Sequence, residues 1–337
     1  MENCSCNNAK GVSTELRLTD YVNHFNTRLG IKRDHRFIEP GLYKTGEPDK
    51  SSPIFVSSNF QMSFNKLRSS LKNLNSWILV IDTKGINVWC AAGKGTFGTD
   101  ELIEKIKRFN LECISSKKEL ILPQLSASGV CAHEVKKSTG FKIIYGPIKS
   151  KDIPEFIKND CKATAEMRKI SFSFFDRLVL TPLELIQSFK YIFFLAVFFL
   201  ITGGITSTGL VFKEALNKGG YAIGALLVAW LSGAFLTPLF LPYLPSRYFS
   251  IKGFIVGMFT TLLYLFFTGS FENLFLILSF VLFYPSISSF LAFNFTGCTT
   301  FTSPSGVAKE FKIFFKPILF LMFSGLLLIT LIFWNII

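Results

Sequence analysis

The sequence predicts an α/β layer fold with a mostly parallel sheet, followed by an all-α membrane domain of five transmembrane helices. Two observations carry this. Between residues 51 and 165, strand-length apolar runs alternate with amphipathic helical patterns. Beyond residue 188, five apolar stretches each approach the roughly 20 residues needed to cross a bilayer. Charge divides the chain at the same place. Residues 1–188 carry 28 Lys/Arg and 20 Asp/Glu, whereas residues 189–337 carry only 8 and 3.

Residues 1–50 are polar and end in "EPGLYKTGEPDKSSP", which reads as an N-terminal arm without regular structure. "PIFVSS" (53–58) is a short strand, and "SFNKLRSSLKNL" (63–74) a helix with Leu67, Leu71 and Leu74 on one face. "WILVID" (77–82) is a continuous apolar run, the kind buried on both faces of a parallel sheet. "TDELIEKIKRF" (99–109) is a helix with Thr99 at its N-cap, acids in its first turn and cations in its last. "ELILPQL" and "KIIYGPI" supply further strands, with "VCAHEVKKST" helical between them. Residues 166–188 mix cations with Phe172, Phe174, Phe175, Leu178 and Leu180. That pattern suits an amphipathic linker at the membrane interface and equally a last element on the α/β core.

The apolar stretches lie near 190–212, 221–243, 251–270, 273–295 and 316–336, separated by joints such as "FKEALNKGG", "PSRYFSIKG" and "TSPSGVAKEFK". With the α/β part in the cytoplasm, the inner flanks hold Arg177, Lys190, Arg247, Lys252, Lys309, Lys312 and Lys316, and the outer flanks only Lys213 and Lys218. The positive-inside bias therefore predicts a multi-pass protein of the cytoplasmic membrane with its C-terminus outside. Residues 1–30 have no apolar core, so no cleavable signal peptide is expected. The seven cysteines lack a disulfide-like spacing and suit a reducing compartment.

Several chemistries find no support. The basic runs at 117–118 and 136–137 are solvated faces beside an anionic membrane, and no aromatic-interleaved module points to nucleic acid. Gly93, Gly95 and Gly98 spell GxGxxG, but the preceding strand ends ten residues earlier, whereas a dinucleotide fingerprint opens straight off its strand, and residues 113–118 hold no acid before Glu119. Cys4-x-Cys6 and Cys131-x-His133 each lack a second ligand pair at metal spacing. His133 is compatible with a surface position or with a ligand contact. The three histidines and the missing G-x-S-x-G elbow argue against a serine hydrolase.

The stretch "INVWCAAGKGTFGTDEL" (86–102) places Cys90 in a short element between glycine-containing turns, a possible lid over the sheet. Val88, Trp89, Ala91 and Ala92 surround the thiol with apolar groups, and the two alanines would let a large flat partner approach. A free cysteine is commonly a small buried hydrophobe. As a thiolate it could instead bind a soft metal, which must then arrive already held by something else. Composition leaves both open.

This stretch closely resembles the cap-helix signature of the mercury-methylating corrinoid proteins (the HgcA family). "VSSNFQMSFNKLR" (56–68), "LILPQLSASGVCAHEV" (120–135) and "TGFKIIYGPI" (139–148) are similar to that family's other corrinoid-domain motifs, and five membrane helices follow in the family layout. The related corrinoid iron–sulfur proteins of the acetyl-CoA pathway share the domain but carry a cluster motif, for which "NCSCNN" is too sparse. The resemblance implies a Rossmann-like corrinoid-binding domain over 51–165, a linker over 166–188 and the membrane domain over 189–337. It implies a cobalamin-type corrinoid with Cys90 as lower axial cobalt ligand, and a cap shaped by Asn87, Val88, Trp89, Ala91, Ala92, Gly93 and Lys94. Asn59, Ser63, Thr83, Pro123, Gln124, Leu125, Tyr145, Gly146 and Pro147 are implied as further corrinoid contacts. The implied activity is methyl transfer to a Hg(II) thiolate, forming methylmercury. A small ferredoxin with two [4Fe–4S] clusters would supply electrons, and a folate-linked system would supply methyl groups. Two other readings stay open: a corrinoid methyl carrier of an acetyl-CoA type pathway, and a transporter with a cytoplasmic ligand-binding domain.

Overall fold

The computed structural model describes residues 9–270 and 273–336, apart from the side chains of Asp34, Cys298 and Pro304. Cys4 and Cys6 lie outside the described residues. The chain forms two compact units, divided between Ser171 and Phe172, with Arg28–Gly30 counted in the second.

The first unit is built on six strands: β1 (Lys10–Gly11), β2 (Gly41–Thr45), β3 (Ile54–Ser58), β4 (Ser76–Ile81), β5 (Glu119–Leu122) and β6 (Lys142–Tyr145). Helices α1 (Leu18–Arg28), α2 (Gln61–Ser70), α3 (Val88–Gly93), α4 (Thr99–Arg108), α5 (Ala132–Thr139) and α6 (Ile153–Lys158) join them. The sheet order is β1-β2-β4-β3-β5-β6. β4, β3, β5 and β6 are parallel, while β2 runs antiparallel to β4. Every residue of β3 and β4 is buried, as a strand covered by helices on both faces requires. Ile54, Val56, Leu79 and Ile81 meet Leu102 and Ile106 of α4 and Val135 of α5 on one face. Phe55, Ile78 and Val80 meet Phe64 and Leu67 of α2 and Phe156 of α6 on the other.

The arm expected over residues 1–50 is part of this sheet from Lys10 onward. β2 sends Leu42 into one face of the core and Tyr43 into the other. Five residues flanked by Gly and Pro carry little local signal, and the strand is defined by its pairing with β4. Ahead of it, Arg68 of α2 fixes the segment before α1. Its guanidinium donates to the carbonyls of Ser13 (2.5 Å) and Glu15 (2.9 Å) and to the Asp20 carboxylate (2.7 Å).

The first unit runs to Ser171, so the stretch 166–188 is divided rather than a linker. Met167 is buried in the α/β core, whereas Phe172 and Leu180 join a cluster with Leu241, Phe249 and Phe295 in the second unit. Among the described residues, the helices long and apolar enough to cross a membrane are Phe174–Gly204, Phe212–Phe240, Phe249–Phe267, Leu274–Gly297 and Ser305–Phe333. The first ends at Gly204 rather than 212, and a small hairpin pairs Ile205–Thr206 with Gly209–Leu210. "FKEALNKGG", expected as a joint, is helical and includes a π-turn over Ala215–Gly219. Hydropathy marks the apolar centre of such a helix, while backbone hydrogen bonding continues into polar flanks.

The fourth helix is the most enclosed, with 56% of its apolar window buried inside the protein. Its hydroxyls bond to carbonyls of neighbouring helices: Tyr284 to Ala222 (2.8 Å), Ser288 to Ala229 (2.7 Å) and Ser289 to Ser250 (2.7 Å). The third helix lies against it through Gly253 and Gly257, a small-xxx-small face that lets two backbones approach. A methyl group at Gly257 would stand 2.6 Å from Ser288 Oγ. Buried charges close the helix ends. The Glu310 carboxylate accepts from Ser250 N (2.6 Å) and Oγ (2.8 Å), and Arg177 donates to the Leu239 carbonyl (3.0 and 3.2 Å).

Two outcomes follow. Gly257→Leu should lower detergent-unfolding stability by about 1–3 kcal/mol through overpacking, and Gly257→Ala by less. The Asp20 carboxyl gives a pH dependence. Burial alone would raise its pKa, but the Arg17 amide, the Arg68 guanidinium and Asn65 outweigh burial and hold it below the usual range. A depressed folded pKa gives stability that is present above the unfolded value, about 3.9, and lost as pH falls through the folded one. Hydrogen-exchange protection of residues 13–28, relative to the intrinsic rate at each pH, should therefore fall below pH ~4, and Arg68→Ala should produce the same loss of protection at neutral pH.

Candidate functional site

In an open α/β sheet, ligands settle beyond the carboxyl ends of the strands where the strand order reverses. Here β3 connects to β4 on one side and its other neighbour is β5, so the reversal lies at β3. The sequence-predicted residues gather at this edge. Asn59 follows β3, Thr83 follows β4, Pro123–Leu125 follow β5, and Tyr145–Pro147 end β6. Ser63 sits half-buried in the first turn of α2.

Asn59 is buried and its side chain is fully engaged within the protein. Its Oδ1 accepts from Thr83 N (3.1 Å), Thr83 Oγ1 (2.7 Å) and Gly85 N (3.0 Å), and its Nδ2 donates to Asp82 Oδ1 (2.9 Å). Thr83 is wholly buried, and its hydroxyl also reaches the Ile86 carbonyl at 2.7 Å. Both residues thus act as a joint between strand ends, with their polar atoms turned to each other. The joint holds a turn in which Lys84 takes φ 57°, a left-handed conformation that costs a non-glycine residue about 1–2 kcal/mol. Glu101 of α4 adds a bond from the Asp82 amide at 3.0 Å.

From this turn α3 starts. Asn87 is its N-cap and accepts from the Cys90 amide at 2.9 Å. The helix has six residues, too few to persist without outside anchors. Ala91 and Ala92 provide them: they turn into the core beside Phe97, Leu102 and Val130 rather than outward to a flat partner. Gly129 is pressed so close that a methyl group there would stand 2.9 Å from Ala92 Cα. The element is therefore a docked helix and not a separate lid. Asn87, Val88, Trp89 and Cys90 remain half-buried, and Gly93 and Lys94 are exposed.

The rim opposite is closed by the β5 and β6 loops. The Tyr145 hydroxyl donates to the Val130 carbonyl at 2.8 Å, and burial pushes its phenol pKa up. Gly146 and Pro147 are buried, while Gln124 accepts from the Arg168 guanidinium. Thr99, expected as the N-cap of α4, is its first residue; Gly98 is the cap, and the Thr99 hydroxyl accepts from Cys131 N at 2.8 Å instead. His133 and Cys131 are exposed on and before α5.

One residue escaped the sequence reading. Ser58, the last residue of β3, is fully buried, yet its hydroxyl has no hydrogen-bond partner. A polar pair, Ser57–Ser58, ending an apolar strand is the signal that marks it. Among the described residues, no group of three or more His, Cys, Asp and Glu side chains could hold a bare metal ion. What the edge offers is one partly accessible thiol on a capped helix.

Asn59→Ala would leave the amides of Thr83 and Gly85 without their acceptor, at a cost of roughly 1–3 kcal/mol for each donor left buried. Hydrogen exchange of residues 82–93 should rise in that variant while β3 and β4 stay protected.

Residues 31–157 match the family model described as CO dehydrogenase/acetyl-CoA synthase delta subunit. Among curated proteins, the acetyl-CoA decarbonylase/synthase complex subunit gamma of Methanopyrus kandleri is 30% identical over 130 residues, covering 38% of this chain and 28% of that protein. The subunit gamma of Methanothermobacter thermautotrophicus is 28% identical over 135 residues (39% and 29%). That of Methanocaldococcus jannaschii is 28% identical over 130 residues (38% and 26%). The chain thus spans under a third of the length of the curated relatives it matches. The sheet with its docked thiol helix is similar to the CO dehydrogenase/acetyl-CoA synthase delta subunit family, and the five apolar helices lie outside the matched stretch.

Proposed function

We propose that the α/β unit binds a corrinoid at its carboxyl edge and that the chain is a membrane-anchored methyl-transfer protein of one-carbon chemistry. The observation that carries this is Cys90: a half-buried thiol on a capped helix, launched from the end of β4. The residues fit such a group. A corrinoid ring supplies its own equatorial nitrogens, so a single protein donor suffices, and the buried Ser58 hydroxyl at the same edge is free to bond a ligand. When bound, a corrinoid supplies a cobalt that accepts and donates methyl groups.

The protein's part is positioning. Cys90 would supply the sulfur donor to a bound corrinoid, Asn87 fixes the turn that carries it, and the Asn59–Thr83 joint fixes where that turn begins. Val88 and Trp89 flank the thiol, while Ser63, Gln124, Leu125 and Tyr145 border the site. Gly93 and Lys94 close the helix on its exposed side.

For the methyl acceptor, the similarity to acetyl-CoA decarbonylase/synthase subunits supports a carrier that delivers to an enzyme of an acetyl-CoA type pathway. A second reading, methylation of a Hg(II) thiolate, is favoured by the thiol itself and by its "NVWCAAGK" setting. In that reading Cys90 would hold the corrinoid through its sulfur, and the bound group would supply the methyl chemistry. A low-potential ferredoxin as reductant and a folate-linked methyl source belong to both readings. The five apolar helices serve as anchor, with the α/β unit on the cation-rich, cytoplasmic side.

The full-length chain loaded with a corrinoid should show a visible spectrum that changes in Cys90→Ala, and methyl transfer should fall about 100-fold or more. Identical spectra would overturn the axial thiolate. Assaying methylmercury beside acetyl-CoA-linked transfer with the same preparation separates the two acceptors.

A further inference from the structure

Helix α1 is amphipathic in the inverted sense. At about 100° per residue, Leu18, Tyr21, Val22 and Phe25 form one stripe, and Asp20, Asn23, His24 and Thr27 form the opposite one. The polar stripe is the one that meets the α/β unit. Asp20 pairs with Arg68 at 2.7 Å, His24 Nε2 bonds Asn65 Nδ2 at 3.0 Å, Asn23 accepts from Arg36, and Thr27 is buried. The apolar stripe faces out, with Leu18 79%, Tyr21 58%, Val22 50% and Phe25 63% exposed. Ile31 and Phe37 continue the exposed apolar surface beyond the helix.

Four large side chains in register are a patch rather than scattered surface residues. Charge names what covers it. Between residues 16 and 38 the chain carries Arg17, Arg28, Lys32 and Arg33, besides Arg36, which is turned inward onto Asn23, against Asp20 and Asp34, and Asp20 is already bonded to Arg68. An apolar stripe bordered by cations is the composition of a helix lying in the headgroup region of an anionic bilayer. The same chain carries five helices long and apolar enough to span, so a bilayer is held close to α1 by the covalent connection alone. α1 also precedes residue 31, where the family similarity begins.

We propose that α1 is an interfacial anchor: its Leu18–Tyr21–Val22–Phe25 stripe lies in an anionic lipid surface and gives the α/β unit a second attachment to the membrane. This rests on the reading of the five helices as membrane spans and is independent of the corrinoid.

The test places a photoreactive residue on the full-length chain in vesicles of phosphatidylethanolamine and phosphatidylglycerol. Phe25→p-benzoylphenylalanine is compared with the same substitution at Phe194, on the exposed face of the first apolar helix, and at the exposed Lys72. After irradiation, mass spectrometry identifies the adducts. We expect a lipid adduct at Phe25 about 10-fold above that at Lys72 and comparable to that at Phe194. A yield at Phe25 no higher than at Lys72, or an adduct to protein, overturns the proposal when Phe194 captures lipid. Absence of lipid at Phe194 as well would instead overturn the spanning helices on which it rests.

Discussion

The Asn59 amide joins the ends of two neighbouring parallel strands, and the position of Cys90 descends from that joint. One carbonyl oxygen receives the amides of Thr83 and Gly85 and the Thr83 hydroxyl, while the amide nitrogen holds Asp82. Those bonds over-determine a turn that contains a left-handed lysine, a conformation that persists only where its surroundings insist on it. The next rigid element is α3, a helix too short to choose its own position. It is located by the joint behind it, by the Asn87 cap at its start and by Ala91 and Ala92 sunk into the core. A thiol carried this way has little freedom to wander, which a metal ligand needs and a core filler does not.

The sheet explains why the joint lies where it does. Strands buried on both faces leave only their ends for chemistry, and the parallel arrangement brings four carboxyl ends to one edge. Asn59, Thr83, the 123–125 loop and the 145–147 loop meet there although they are far apart in sequence. Several are engaged with the protein itself. Asn59 and Thr83 satisfy each other, Tyr145 bonds Val130, and the alanines of α3 face inward. At the same edge the Cys90 thiol is half-buried and the Ser58 hydroxyl has no hydrogen-bond partner.

The second unit follows a different rule. Its fourth helix is enclosed by the others, so hydroxyls of Tyr284, Ser288 and Ser289 bond neighbouring carbonyls, and glycines allow close backbone contact. Two buried charges serve other helix ends: Glu310 accepts from Ser250 at the start of the third helix, and Arg177 donates to the Leu239 carbonyl at the end of the second.

By itself the sequence marked apolar strands at 53–58 and 77–82, the helical patterns that became α4 and α5, and five long apolar stretches, because each is written in local periodicity and composition. It also placed Cys90 on a short element between glycine-containing turns. Tertiary structure alone decided that Gly41–Thr45 is a strand, that Ala91 and Ala92 point to the core, that Asn59 bonds Thr83 across the strand ends, and that α1 turns its polar face inward. The reason is the same in each case. Periodicity reports which residues are apolar but not what covers them, and a hydrogen bond between residues 24 apart, such as that of Asn59 and Thr83, leaves no local trace in the chain.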